Sequence, residues 1–242
     1  MKIIKLNAID STNSYLKKLL NNKALDDLTT VISTNQTKGR GRNGKIWINE
    51  PNLNLAFSIF KTLKNTFAED KFLLNIVSSI SVYQLLKKNN LKNLSIKWPN
   101  DVMVNDKKIS GILVENVIRA KKISHTIIGV GININQTEFK ELPNATSILI
   151  ETGKQVSLEK TSVDLLKIFK KNFNLFEKNK KKLTKTYNRN LYRKGQISNF
   201  LTSKNETISA QITGVNEKGE LNLKLSKHKV VKYFEGEIKM KI

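Results

Sequence analysis

Apolar residues recur at alternate positions in some segments of the chain and at helical spacing in others, and the two spacings predict different elements. Alternation or short apolar runs predict strands at residues 2–6, 30–34, 53–60, 95–98, 102–104, 109–117 and 125–134. Helical spacing predicts a helix that begins at Ser11 or Thr12, another after Asp70, and a third from Ser157 to about Tyr187. Strands and helices therefore alternate through most of the chain.

The pattern changes after Gly195 to short alternating strands with tight turns, one at residues 217–220 and another at 226–229. The remaining length suffices for a small barrel-like unit but is marginal for an independent fold. We predict two domains, residues 1–190 and residues 191–242.

Between two predicted strands, residues 37–47 contain three glycines, four cations and a terminal tryptophan. Arginine offers a rigid fork of donors that matches phosphate or carboxylate oxygens, and glycine lets the main chain approach a ligand. We predict an anion-binding loop that is mobile alone and is ordered by its ligand. A flexible basic tract that contacts RNA through its charge is the alternative that the loop alone leaves open.

The formal net charge of +23 is typical of nucleic-acid-binding proteins, but lysine is spread over the whole length together with many asparagine and isoleucine residues. No helix-turn-helix or ribonucleoprotein motif is visible, so we expect no specific nucleic-acid partner. The absence of cysteine excludes disulfides and thiolate chemistry, and no sequence motif surrounds His125 or His228. Without a signal-like run or a span of about 18 apolar residues, a cytoplasmic protein that does not associate with membranes is expected.

Several segments occur in an order that resembles the biotin–protein ligases. They are Ser11-Thr12-Asn13, Gln36, residues 39–47 (GRGRNGKIW), residues 97–101 (KWPND), residues 108–115 (KISGILVE) and residues 129–133 (GVGIN). The resemblance extends from about Asp10 to the C-terminus, where Gly236-Glu237-Ile238 matches the family's end. It implies an α+β fold: a mixed β-sheet flanked by helices, related to class II aminoacyl-tRNA synthetases, with a small C-terminal SH3-like β-barrel.

The resemblance also implies a reaction of two steps. The carboxylate of biotin attacks the α-phosphate of ATP, which enters with Mg²⁺, and forms biotinyl-5′-AMP and pyrophosphate. A lysine of a biotin carboxyl carrier protein, from acetyl-CoA carboxylase or a related carboxylase, then attacks the acyl carbon and releases AMP.

Roles carry over from the matching motifs. Those implied as catalytic are Lys108, Arg42 and Asp101, with Mg²⁺ near Asp101. Those implied to bind biotin are Ser11, Thr12, Asn13, Gln36, Arg40, Gly41, Arg42, Lys108 and Gly111. Those implied to bind ATP are Arg42, Trp47, Lys97, Asn100 and Asn133. Gly111, Gly129 and Gly131 are interpreted as positions where backbone approaches ligand, and alternate glycines on a strand leave room for a flat group to lie on the sheet.

Two alternatives remain beside the biotin ligase. A lipoate or octanoate ligase of similar fold would have no use for the polar set around Thr12 and Gln36, and a basic nucleic-acid-binding regulator would leave residues 97–101 unexplained. Regulatory family members carry a helix-turn-helix before the motif at Ser11, and only ten residues precede it here, so we expect no repressor activity. The oligomeric state is left open, with a homodimer as one alternative.

Overall fold

The computed structural model describes residues 2–140, 142–226 and 229–241. Seven strands form one mixed sheet in the order β1-β2-β3-β7-β6-β5-β4, in which only β1 and β2 are parallel. The strands are β1 (Ile3–Leu6), β2 (Thr30–Ser33), β3 (Asn54–Thr62), β4 (Leu94–Lys97), β5 (Asp101–Val104), β6 (Lys107–Arg119) and β7 (Lys122–Asn133). Each lies within a few residues of its predicted position, which confirms the strand predictions. The predicted hairpin turn between β5 and β6 is also present, with Asn105 at a φ of +50°.

The helices are α1 (Thr12–Asn22), α2 (Lys71–Lys88), α3 (Ile148–Thr152), α4 (Leu158–Lys178) and α5 (Lys180–Arg189), and a single 3₁₀ turn, Ala68–Asp70, precedes α2. Ser11 caps α1 through its side chain, as predicted. The helical pattern predicted from Ser157 to about Tyr187 is confirmed, but it forms two helices, because the helix is interrupted at Asn179. Asn179 has a non-helical backbone, and its side chain accepts a hydrogen bond from the Lys182 amide and so caps the start of α5.

Helices cover both faces of the main sheet, and successive side chains of a strand alternate between these faces. On one face, Phe57 of β3 stacks on Phe169 of α4 with ring centroids 5.8 Å apart, inside the large core that also contains α2. On the other face, α1 contributes Leu16 to a smaller core with Phe60 and Ile127. That second face therefore carries less apolar packing and leaves sheet surface beside α1 for other uses.

The C-terminal part forms a separate five-stranded antiparallel sheet, which confirms a small C-terminal β domain, while the exact boundary at 190/191 stays a prediction. Its strands, in chain order, are β8 (Ile197–Thr202), β9 (Thr207–Val215), β10 (Leu221–Lys224), β11 (Val230–Tyr233) and β12 (Ile238–Met240), and their order in the sheet is β11-β10-β9-β8-β12. The turn predicted at 217–220 is present, with Gly219 at a φ of +90°. The second predicted turn includes Lys227 and His228, which lie outside the described residues.

The two sheets are held together by specific hydrogen bonds. The indole N–H of Trp98 donates to the Gly219 carbonyl at 3.0 Å. The side chain of Asn188 in α5 pairs with both the N–H and the C=O of Val215 in β9. These contacts place the C-terminal sheet beside the segment that links β4 to β5. Across the ranges that the structure describes, no helix has the length and apolar character needed to cross a membrane.

Candidate active site

A cavity of about 160 Å³ lies on the α1 side of the main sheet. Its lining includes every residue that the motifs singled out for biotin or catalysis, together with Trp47 and Asn100: Ser11, Thr12, Asn13, Gln36, Arg40, Gly41, Arg42, Trp47, Asn100, Asp101, Lys108 and Gly111. Lys97 and Asn133 line a neighbouring cavity of about 470 Å³ that shares Trp47, Asp101 and Lys108 with the first. The fold thus brings the predicted residues, which come from distant parts of the chain, to the walls of two adjoining cavities.

One end of the first cavity is neutral and polar. The side-chain oxygen of Gln36 accepts hydrogen bonds from the Thr12 amide at 2.9 Å and from its hydroxyl at 3.1 Å. The hydroxyl of Ser58 lies 2.7 Å from the Thr12 hydroxyl and donates to Asn13 Oδ1 at 2.5 Å. Hydroxyl and carboxamide groups of this kind suit a neutral ligand with both donors and acceptors.

Glycines form the floor of the cavity, and two side chains lie directly on it. Gly111 and Gly131 are register partners on β6 and β7. A Cβ on Gly131 would lie 2.2 Å from Trp47 Cε2, and a Cβ on Gly129 would lie 2.4 Å from Asn13 Oδ1. The expectation that alternate glycines admit a flat group is confirmed by the indole of Trp47, whereas their approach to a ligand stays a prediction.

The other end of the cavity is charged. Lys108 Nζ lies 2.7 Å from Asp101 Oδ1 and 5.6 Å from the centroid of the Trp47 ring. Burial lowers the pKa of Lys97, an effect that Asp101 opposes and that the nearby cations Lys108, Lys239 and Lys45 reinforce. Burial also lowers the pKa of Arg42, and there too Asp101 counteracts it. The cations of this end outnumber the two carboxylates that pair with them, Asp101 with Lys108 and Glu235 with Arg42, which leaves an excess of positive charge for an anionic ligand.

Two predicted ATP-binding residues donate hydrogen bonds from their side-chain amides to backbone carbonyls. Asn100 Nδ2 donates to the Ile112 carbonyl at 2.7 Å, and Asn133 Nδ2 donates to the Thr146 carbonyl at 3.0 Å. Their position beside the cavities agrees with the prediction, but contact with a nucleotide is not tested by these bonds. The role assigned to each stays a prediction.

The basic loop folds back on itself as a short hairpin against the sheet. Gly41 donates its amide to the Lys45 carbonyl at 2.6 Å, and Trp47 donates its amide to the Gly39 carbonyl at 2.9 Å. Trp47 is half-buried with its Nε1 unpaired among the described residues, whereas Ile46 is 76% exposed. The hairpin brings Arg40 and Arg42 to the cavity, and the predicted ordering of the loop by ligand stays untested.

Sequence reasoning missed three residues at the site. Glu115 on β6 pairs with Arg40, and Glu235, in the connection between β11 and β12, pairs with Arg42. Ser58 lies between Thr12 and Asn13. Strand alternation could have identified Ser58 and Glu115, since Ser58 is a polar position within an apolar run and Glu115 shares a face with Gly111. Nothing in the local sequence identifies Glu235, because it meets Arg42 only after both sheets have formed.

The cavity thus has a floor of glycines, one neutral polar end and one cationic end. Comparison with known proteins identifies the family of the chain that forms it. The model of the biotin/lipoate A/B protein ligase family matches residues 6–133, which is more than half of the chain. The chain belongs to the biotin/lipoate A/B protein ligase family.

Within this family the similarity is to biotin ligases. The bifunctional ligase/repressor BirA of Bacillus subtilis is 30% identical over 172 residues, 68% of this chain and 51% of that protein. The biotin--[acetyl-CoA-carboxylase] ligase of Paracoccus denitrificans is 30% identical over 164 residues, 65% of this chain and 66% of that protein. The chain spans about half the length of the Bacillus relatives that it matches.

A solved structure is similar over nearly its full length. The biotin protein ligase from Aquifex aeolicus in complex with biotin and ATP superposes with a TM-score of 0.82 at 28% identity, covering 99% of this chain and 98% of that one. The similarity includes both the main sheet and the C-terminal sheet.

Proposed function

We propose that this chain activates biotin with ATP and transfers it to a lysine of a biotin carboxyl carrier protein. The observation that carries the proposal is the cavity with two chemically different ends on one glycine floor. The neutral polar group around Thr12 and Gln36 lies beside Gly129 through Asn13, and Lys108 at the cationic end lies beside Gly111, the register partner of Gly131. Two residues of a strand span about 7 Å, so a ligand with a neutral head and an anionic tail is accommodated between them.

Biotin has this form, because its ureido ring is a neutral donor and acceptor and its chain ends in a carboxylate. The Aquifex aeolicus biotin protein ligase, which has the same architecture, was solved in complex with biotin and ATP. Lipoate and octanoate carry the same acidic tail without a ureido head. The hydrogen-bonding network of Gln36, Thr12, Ser58 and Asn13 favours biotin over these two acids.

In the first step, a carboxylate oxygen of biotin attacks the α-phosphorus of ATP, and the bond from phosphorus to the pyrophosphate oxygen breaks. Lys108 and Arg42 stabilise the negative charge at the reacting groups, and Lys97 extends the cationic surface toward the adjoining cavity. Trp47 and Asn133 line that cavity, where the nucleotide would lie, and Asn100 lines the first cavity. Mg²⁺ would enter as part of the nucleotide substrate, and Asp101, which lines both adjoining cavities, is the carboxylate that would be available to it.

In the second step, a lysine amine of the carrier attacks the acyl carbon, and the bond to AMP breaks. The attacking ammonium must first lose a proton, which Asp101 would accept as the carboxylate that lines the cavity at its cationic end. The lysine-rich chain is suited to an acidic carrier domain, because complementary charge accelerates encounter. A cytoplasmic location is part of the proposal, and a homodimer is one alternative for the oligomeric state; each needs its own measurement.

The test is pyrophosphate release by the purified chain with ATP and each of three acids: biotin, lipoate and octanoate. We expect release with biotin, a bound biotinyl-5′-AMP detected by mass spectrometry, and labelling of one lysine when a biotin carboxyl carrier domain is added. Activation of lipoate or octanoate in place of biotin would establish the rival ligase. Release with none of the three would refute the proposed function.

A further inference from the structure

Each arginine of the basic loop is held by a carboxylate from outside the loop. Arg40 pairs with Glu115 on β6 of the main sheet, and Arg42 pairs with Glu235 of the C-terminal part. One carboxylate comes from the main sheet and the other from the connection between β11 and β12 of the C-terminal part, and the loop lies between them. Neither glutamate lines the cavity of about 160 Å³, so both act on the loop rather than on its contents.

Glu115 is the centre of a four-residue cluster. Its two carboxylate oxygens accept hydrogen bonds from Asn13 Nδ2 at 2.8 Å, Lys17 Nζ at 2.6 Å and Arg40 Nη2 at 3.1 Å. Partial burial alone would raise the pKa of Glu115, but the bonds from Lys17 and Asn13 hold it below its ordinary value. The carboxylate is therefore charged at neutral pH and links the loop to the start of α1, at the neutral end of the cavity.

Glu235 acts at the cationic end. It pairs with one terminal nitrogen of the Arg42 guanidinium, while the other, Nη1, is buried without a partner among the described residues. The guanidinium is a rigid planar fork, so fixing one nitrogen also fixes the direction of the other. Since Arg42 is half-buried beside Asp101, its unpaired nitrogen is oriented within the site.

We propose that Glu115 and Glu235 are positioning residues that hold Arg40 and Arg42 in the geometry required for adenylate formation. This inference rests on the proposed function and adds to it that the connection between β11 and β12 contributes to the active site through Glu235. The two glutamates act at different ends of the cavity. Glu115 therefore sets the affinity for biotin, and Glu235 sets the use of ATP.

The kinetic test compares Glu115→Gln and Glu235→Gln, which keep the side-chain size and remove the charge. We expect Glu115→Gln to raise the KM for biotin and Glu235→Gln to raise the KM for ATP or lower kcat, each by about fivefold, the size appropriate to a partly exposed ion pair. Two matched controls remove a glutamate charge elsewhere. Glu159→Gln breaks a surface pair with Lys5, and Glu206→Gln changes an exposed position of the C-terminal sheet.

We expect Glu115→Gln to change only the kinetic parameters for biotin and Glu235→Gln only those for ATP. Both variants should have the melting temperature of the controls. Variants that match the controls in all parameters would overturn the inference. So would variants that change the parameters of both substrates together with a lower melting temperature, because that pattern reports a loosened fold.

A second measurement separates this inference from the proposed function. The loop contains Lys38, Arg40, Arg42 and Lys45, so trypsin can cut it without any substrate being present. We expect faster cleavage within residues 38–45 in both site variants than in the wild type and the controls, and equal rates would overturn the inference. A wild-type chain that activates no acid would refute the proposed function alone, since the cleavage result does not depend on activity.

Discussion

Replacing Gly131 by alanine tests whether the floor of the cavity must be free of side chains. The added Cβ would lie 2.2 Å from Trp47 Cε2, and ordinary contact begins at 3.4 Å, so the indole must move by 1.2 Å (3.4 − 2.2) or more. The backbone of β7 is paired on both sides, with β3 and β6, and cannot move instead. The displacement therefore falls on Trp47 and on the loop that ends there.

The expected effect is large on activity and small on stability. A misplacement of about 1 Å in a group that positions substrates can reduce the rate about a hundredfold. Trp47 is half-buried on a surface loop rather than packed in the core, so the loss of folding free energy should be modest.

Gly153→Ala is the matched control because it should lower stability and leave activity unchanged. Gly153 ends α3 at a φ of +68° with open space around it, so alanine strains the backbone and touches nothing. A cost of about 1 kcal/mol would lower the melting temperature of a chain of this size by about 3 °C without changing catalysis.

The assay is pyrophosphate release with biotin and ATP, together with thermal unfolding of both variants. We expect Gly131→Ala to lose activity with a melting temperature no lower than that of Gly153→Ala, and Gly153→Ala to retain activity. A Gly131→Ala chain with normal turnover would refute the argument that the indole must lie on the glycine floor.

Three further predictions concern the charges of the site. Lys108→Ala should slow adenylate formation about a hundredfold, because it removes a cation that faces developing negative charge; normal pyrophosphate release by this variant would remove Lys108 from the mechanism. Because burial lowers the pKa of Lys97, its charge is present at low pH and is lost as pH rises, at a pH below that of an ordinary lysine. The rate of adenylate formation should therefore fall on the alkaline side, and Lys97→Arg should shift that fall to higher pH; an identical profile for both proteins would contradict this role. At subsaturating concentrations of an acidic carrier, added salt should slow transfer of biotin to the carrier, because the Debye length falls to about 3 Å at 1 M salt, while adenylate formation should change little. Equal salt sensitivity of both half-reactions would argue against electrostatic steering.

Local patterns in the sequence were sufficient for most of the elements. The strands of the main sheet and the N-cap at Ser11 follow from alternation and from the preference of serine for helix starts, both of which act over a few neighbouring residues. The interruption of the helix at Asn179 was missed because the apolar helical pattern continues through it. The side chain of Asn179 ends this continuity by accepting a hydrogen bond from the Lys182 amide, which starts a new helix. The motifs also indicated which residues would meet, as the lining of the cavity shows.

The sequence by itself determined the elements, the glycines that leave the sheet surface open, and the set of cations and amides available for chemistry. The tertiary structure alone decided which of them touch: Glu115 with Arg40, Glu235 with Arg42, and Trp47 with Gly131. The physical reason is range. Propensity and periodicity act between near neighbours along the chain, whereas these contacts depend on the order and register of strands and on the docking of one sheet beside another.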